Sequence, residues 1–183
     1  MRMSKQVYRI ESYTFSETDA LLFDANIWLY IYGPQRQLYP RLRSTYTLAF
    51  RRIRSANIRV FIDVLVLSEF INAYSRFVYN NLPSATKPAE FKTFRNSADF
   101  KPIAEDIAKY SRRILEKAER IETGFESVDL LPIMSDYATG EKDFNDQILA
   151  QLCRTKGLKL VTHDADFQGE DLTIITGNPQ LLR

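Results

Sequence analysis

Apolar and polar positions along this chain switch between two periods, and the switches mark a repeating strand–helix order. Residues 20–24, Ala-Leu-Leu-Phe-Asp, form an apolar run ended by an acid, the pattern of a short buried strand. The apolar residues 27–31 predict a helix that Gly33-Pro34 stops. Over 38–56, Leu42, Tyr46, Ala49, Ile53 and Ala56 fall on one helical stripe. Residues 59–62 predict a second strand, and 65–79 a helix carrying Glu69. From 80 to 102 the pattern breaks. Pro83, Pro88 and Pro102 punctuate a polar stretch that also holds Phe91, Phe94 and Phe100, so a loop or short helical insertion is expected. Residues 103–122 predict an amphipathic helix with Ile103, Ile107, Tyr110, Ile114 and Ala118 on one face. A strand is expected over 128–133, then a helix over 143–156 closed by Gly157, then strands over 158–161 and 172–175. Strands alternating with helices predict an α/β fold: three layers, with a central, mostly parallel sheet and a helical or loop insertion.

At 183 residues, 45% of them hydrophobic, the chain can bury a full core in one domain. A single domain over 1–183 is expected, with 1–19 as an N-terminal extension and 80–125 as an insertion. No apolar stretch approaches the roughly 20 residues that span a bilayer. Residues 1–19 are polar and lack the apolar run of a signal peptide. The one cysteine, Cys153, excludes an internal disulfide and fits a reducing cytoplasm, the expected location. One Cys and one His also argue against a zinc site of the Cys/His kind.

The net charge of +2 says little, but its distribution says more. No acid occurs between Asp24 and Asp63, a stretch that holds Arg36, Arg41, Arg43, Arg51, Arg52, Arg54 and Arg59 and no lysine. Arg41, Arg43, Arg51, Arg52 and Arg54 lie off the apolar stripe of the 38–56 helix. They form either a solvated face or a nucleic-acid-binding one. The long absence of acids favours binding, and arginine suits phosphate.

Four acids carry the candidate chemistry. Asp24 and Asp164 each end an apolar strand, and Glu69 and Asp146 lie in amphipathic segments between them. Carboxylates at strand C-termini in an α/β pattern converge on one crevice. Together they repel unless a cation neutralises them, and a divalent metal is the usual solution. Each acid also has a plain structural reading. Asp24 and Asn26 can be turn and cap residues, Glu69 an edge residue of its stripe, and Asp143 an N-cap in front of Asp146. A hydroxyl and two acids in Thr162-His163-Asp164-Ala165-Asp166 favour a ligand site over a turn. Strand alternation would point His163 away from Thr162 and Asp164, as a surface or RNA-facing side chain. A dehalogenase-type nucleophile at Asp24 fits poorly, because the second acid of that motif is replaced by Asn26.

With these residues in view, the chain resembles PIN (PilT N-terminal) domains, the nuclease fold of VapC-type toxins. "LLFDANIWLYI" is similar to the family's opening strand and Asp-Thr-Asn motif, with Ala25 where Thr is usual. "VLVLSEFINAY" is similar to the second motif, with Glu69 as its acid. "FNDQILAQLCRTKGLKLVTHDADF" resembles the third and fourth, placing their acids at Asp146 and Asp164. The resemblance implies an Mg²⁺- or Mn²⁺-dependent endoribonuclease, with Asp24, Glu69, Asp146 and Asp164 as catalytic metal ligands. Asn26, Asp143, Thr162 and Asp166 would support them, and the arginine helix would bind RNA. It further implies the toxin form, an antitoxin protein as partner, and a homodimer. A non-catalytic module binding RNA or protein, or a structure-specific DNA nuclease, stays open as an alternative.

Overall fold

A computed structural model describes residues 6–140 and 142–183. Residues 1–5 of the expected 1–19 extension lie outside the described residues. Six strands form one all-parallel sheet in the order β1-β6-β5-β2-β3-β4. They are β1 (Gln6–Arg9), β2 (Ala20–Phe23), β3 (Arg59–Ile62), β4 (Glu119–Arg120), β5 (Lys159–Val161) and β6 (Thr173–Thr176). The helices are α1 (Ala25–Tyr32), α2 (Pro40–Ser55), α3 (Val64–Asn80), α4 (Phe91–Arg95), α5 (Lys101–Leu115), α6 (Leu130–Ala138) and α7 (Phe144–Lys156).

The two outermost strands are largely exposed, whereas β6 is buried along its whole length and β2 along nearly all of it. This is the division a parallel sheet covered on both faces requires. The chain steps from β2 to β3 to β4 in one direction and returns from β4 to β5 across two strands. Right-handed crossovers therefore place α1–α5 on one face and α6–α7 on the other. The reversal puts β2 and β5 side by side at a topological switch point, where open α/β sheets bind ligands beyond their strand C-termini.

Local chemistry sets the ends of the helices that matter for this edge. Asp24, Asp63 and Asp143 cap α1, α3 and α7, each with a carboxylate oxygen accepting from a backbone N–H. Gly33 ends α1 where a Cβ would meet the Leu29 carbonyl at 2.5 Å, so no larger residue fits. Gly157 ends α7 in the left-handed region, φ 66°. Among the described residues no helix is long and apolar enough to cross a membrane.

Three stretches depart from the expected pattern. The N-terminal extension supplies β1, which pairs with β6. Its Ile10 is fully buried, although charged neighbours hide that signal in sequence. The expected helix over 103–122 stops at Leu115, and Glu119–Arg120 form the edge strand β4 instead. The strand expected over 128–133 is overturned: Leu130–Ala138 is a helix, capped by Asp129. A short apolar run does not distinguish strand from helix. Pro132 settles it, because a helix's first turn needs no N–H from it, whereas a strand would. The 80–102 segment forms a small aromatic core. Phe94 is buried against Tyr79 and Phe100, with ring centroids at 5.7 and 5.4 Å.

Candidate active site

Asp24 follows β2 directly and is 3% exposed. Its Oδ1 accepts from the Ala25 N–H (2.6 Å), and its Oδ2 accepts from Asn26 Nδ2 (2.5 Å) and the Thr162 hydroxyl (2.7 Å). Thr162, fully buried at the end of β5, also accepts from the Asp164 backbone N–H at 3.0 Å. Asn26 spans the same gap, with its Oδ1 accepting from the His163 N–H at 3.1 Å. The ends of β2 and β5 are thus joined by a side-chain network, and Asp24 is held in one orientation. The hydroxyl on Asp24 comes from Thr162, not from position 25. Asp164 caps a 3-10 turn at Ala165–Phe167, its Oδ1 accepting from the Asp166 N–H.

Glu69 sits in the second turn of α3 and Asp146 in the first turn of α7, both half-buried. The two helices lie on opposite faces of the sheet, yet both acids feel the same neighbours. Burial first, then the charges of Asp24, Asp143 and Asp164, raise Glu69 to about 7. Burial first, then Asp24, Asp143, Asp164 and Glu69, raise Asp146 to about 8. Asp24 is raised to about 6 by burial and by Asp164, against the lowering effect of its hydrogen bonds. Asp24, Glu69, Asp146 and Asp164 therefore occupy one electrostatic site. Asp143 joins it as a fifth charge while capping α7 through the Asn145 and Asp146 N–H groups. Asp166 is exposed on the rim, in a narrow cleft with Lys142, Asp143, Asp146 and Glu170.

The donor set is all hard oxygen, the kind Mg²⁺ and Mn²⁺ take. Among the described residues no three Asp, Glu, His or Cys side chains converge tightly enough to enclose an ion as they stand. What fits a cation is the crowding of charge: Asp24, Glu69 and Asp146 are held above their ordinary range by burial first and then by neighbouring acids, Asp164 among them in every case.

Asp63 shows that the strand-end pattern alone is not diagnostic. It follows the apolar strand β3 and is 1% exposed. Its carboxylate is used by the Leu65 N–H and, through a very short bond, by the Thr123 hydroxyl. It is not among the charges that raise the site acids.

The expected surface placement of His163 is corrected. Its ring is half-buried, edge-on to Tyr30 and Tyr46, with Nδ1 2.7 Å from the Tyr46 hydroxyl. The Gly177 N–H donates to the same hydroxyl at 3.0 Å. Burial holds the His163 pKa below the usual value. Neither partner is near in sequence, and only the tyrosine's place on the 38–56 stripe pointed inward.

The arginine helix divides into two ends. Arg41 and Arg43 lie in the first turn of α2, exposed on the side of the strand C-termini. Arg51, Arg52 and Arg54 lie in its last turns, which lead into the start of β3 at the far edge of the sheet. Arg52 is engaged there, donating to the carbonyls of Ile10, Glu11 and Tyr13. A cavity of about 730 Å³ opens beside it, between α2 and Ile10–Glu11, away from the carboxylates.

Among solved structures, the chain is similar to one described as the crystal structure of VapBC2 from Rickettsia felis bound to a DNA fragment from their promoter. The identity is 14%, over 86% of this chain and 98% of that one, with a TM-score of 0.48. A comparison with curated proteins finds no match. The PIN domain family model matches residues 21–169, from the start of β2 past Asp164. A match over most of the chain places it: the protein belongs to the PIN domain family.

Proposed function

We propose that the chain is a divalent-metal-dependent endoribonuclease, with Asp24, Glu69, Asp146 and Asp164 holding Mg²⁺ or Mn²⁺. The observation that carries this reading is the gathering of acids from four separate elements at the switch point of the sheet, where burial and neighbouring acids raise Asp24, Glu69 and Asp146. Such a cluster destabilises the cation-free fold and is offset by a bound cation. An ion bound there supplies Lewis acidity toward a phosphodiester and its attacking water. The chain's own residues supply the orientation. Ala25 N–H, Asn26 and Thr162 fix the Asp24 carboxylate, and Thr162 ties the Asp164 backbone to it. Asp143 and Asp166 support the site from its rim. Hydrolysis leaves a 5′-phosphate and a 3′-hydroxyl.

Arg41 and Arg43 stand on the site's side of the sheet and suit the RNA backbone. Arg51, Arg52 and Arg54 would reach only RNA that extends around α2. The specific form we propose is the toxin of a toxin–antitoxin pair, a single-domain homodimer with an antitoxin partner. The support for that form is the order and spacing of the four acid motifs.

The test is incubation of the purified protein with total RNA at low salt, with Mn²⁺ or with EDTA, beside Asp146→Asn. Discrete fragments that need metal and vanish in the variant are expected. Equal cleavage by Asp146→Asn overturns the site assignment. Competition between matched RNA and DNA hairpins decides the nucleic acid.

A further inference from the structure

Beside the carboxylates stands an aromatic wall that the nuclease reading does not use. Tyr39 is the N-cap residue of α2 and is 49% exposed. Its backbone is fixed from both sides: its N–H donates to the Gln35 carbonyl, and its carbonyl accepts from the Arg43 N–H. Its ring meets Tyr30 edge to face, with centroids 6.1 Å apart at 84°. Tyr30 is stacked on the buried Tyr46 at 5.7 Å and 9°. Tyr46 is locked by His163 and Gly177, and His163 is the residue before Asp164. A rigid chain of rings therefore runs from an exposed tyrosine to the carboxylate site. Tyr39 and Asp164 are both close enough to Tyr30 to hold its phenol above the usual range, after the effect of burial. The exposed Arg41 and Arg43 follow Tyr39 on the next turn of chain.

An aromatic face left in solvent and braced from behind is open to a flat partner, and a tyrosine gives it a polar edge as well. Unpaired nucleobases stack on such faces whatever their identity, and nearby cations hold the phosphates between them. We infer that Tyr39, braced by Tyr30, is a stacking site for an unpaired base of single-stranded RNA adjoining the phosphate at the carboxylates. This inference rests on the ribonuclease reading and names the side chain that holds a base of its substrate. Tyr39 is a binding residue and takes no part in bond cleavage.

The test measures equilibrium binding, with Ca²⁺ in place of Mn²⁺, of three fluorescent probes. They are a short single-stranded RNA of mixed sequence, its abasic counterpart, and an RNA duplex of the same length. Tyr39→Ala is expected to weaken single-strand binding about tenfold or more. Tyr39→Phe and Tyr39→Trp should keep it, and the abasic RNA should bind wild type and Tyr39→Ala alike. Unchanged melting temperatures exclude a folding effect. Equal single-strand binding by wild type and Tyr39→Ala overturns the stacking site, and the total-RNA cleavage assay then shows whether the nuclease reading survives. A loss that is the same for duplex and abasic probes also overturns it. So does self-association that vanishes in Tyr39→Ala without any change in RNA binding, which would make the wall a protein contact. A wild type that binds no RNA and cleaves none fails both readings.

Discussion

The Thr162 hydroxyl donates to Asp24 Oδ2 at 2.7 Å, joining the ends of two adjacent strands from residues 138 positions apart. That bond opposes the upward pull of burial on the Asp24 carboxyl. Thr162→Val keeps the shape and removes the donor, and it also takes the acceptor from the Asp164 N–H. A stability loss of about 1–3 kcal/mol is expected. Mn²⁺ affinity should fall about 10- to 100-fold, read by calorimetry. Wild-type metal affinity in Thr162→Val would mean that the network does not position the ligands.

Asp146→Asn removes one charge from a crowded, half-buried site. The variant should lose RNA cleavage while its metal-free melting temperature stays level or rises, because the remaining acids repel less. A marked drop in that temperature would show Asp146 to be structural.

The same three acids set a pH dependence. Asp24, Glu69 and Asp146 ionise near 3.8, 4.5 and 3.8 when unperturbed, and at about 6, 7 and 8 in the fold. The folded state binds these protons more tightly, so their contribution to stability is complete below pH 3.8. It is lost as pH rises through about 6 to 8. Glu170 acts oppositely: its pKa is lowered by Lys142 and Arg154, so its contribution is lost toward acid. In EDTA the melting temperature should therefore decline between pH 5 and pH 8, and Mn²⁺ should recover most at the alkaline end. A metal-free melting temperature that climbs over that interval would contradict the coupling.

Tyr46→Phe deletes the hydroxyl shared by His163 and Gly177. It leaves the partly buried Gly177 N–H without that acceptor, at a cost of about 1 kcal/mol in chemical denaturation. The His163 ring should also gain mobility, visible as a sharpened and shifted imidazole signal in NMR. No change in either would show that the aromatic wall does not need this brace.

Arg43 and Arg52 separate binding from architecture. Arg43→Ala should weaken RNA binding evenly across sequences and reduce the salt slope by about 1. Arg52→Ala should instead lower stability by about 1 kcal/mol, because its three carbonyl partners lie in the segment after β1. If Arg52→Ala alters RNA affinity and leaves melting unchanged, the two roles are exchanged.

Sequence alone determined the α/β class and offered the four acids as candidates, because each rests on local signals. The run of residues 20–23 must be buried, an acid after it caps the next helix, and the stripe through Tyr46 and Ile53 must face inward. Asp63 follows an apolar run just as Asp24 does, and nothing local separates the two. Tertiary structure separated them, since Asp63 is satisfied by Thr123 while Asp24 sits where β2 meets β5. Strand order, the edge strand β1 and the locked His163 were likewise decided by partners distant in the chain. The physical reason is the range of the forces. Burial pattern and capping act over one or two turns and are written in neighbouring residues. Charge coupling and side-chain networks depend on distances in space, which are set only once the strands have paired.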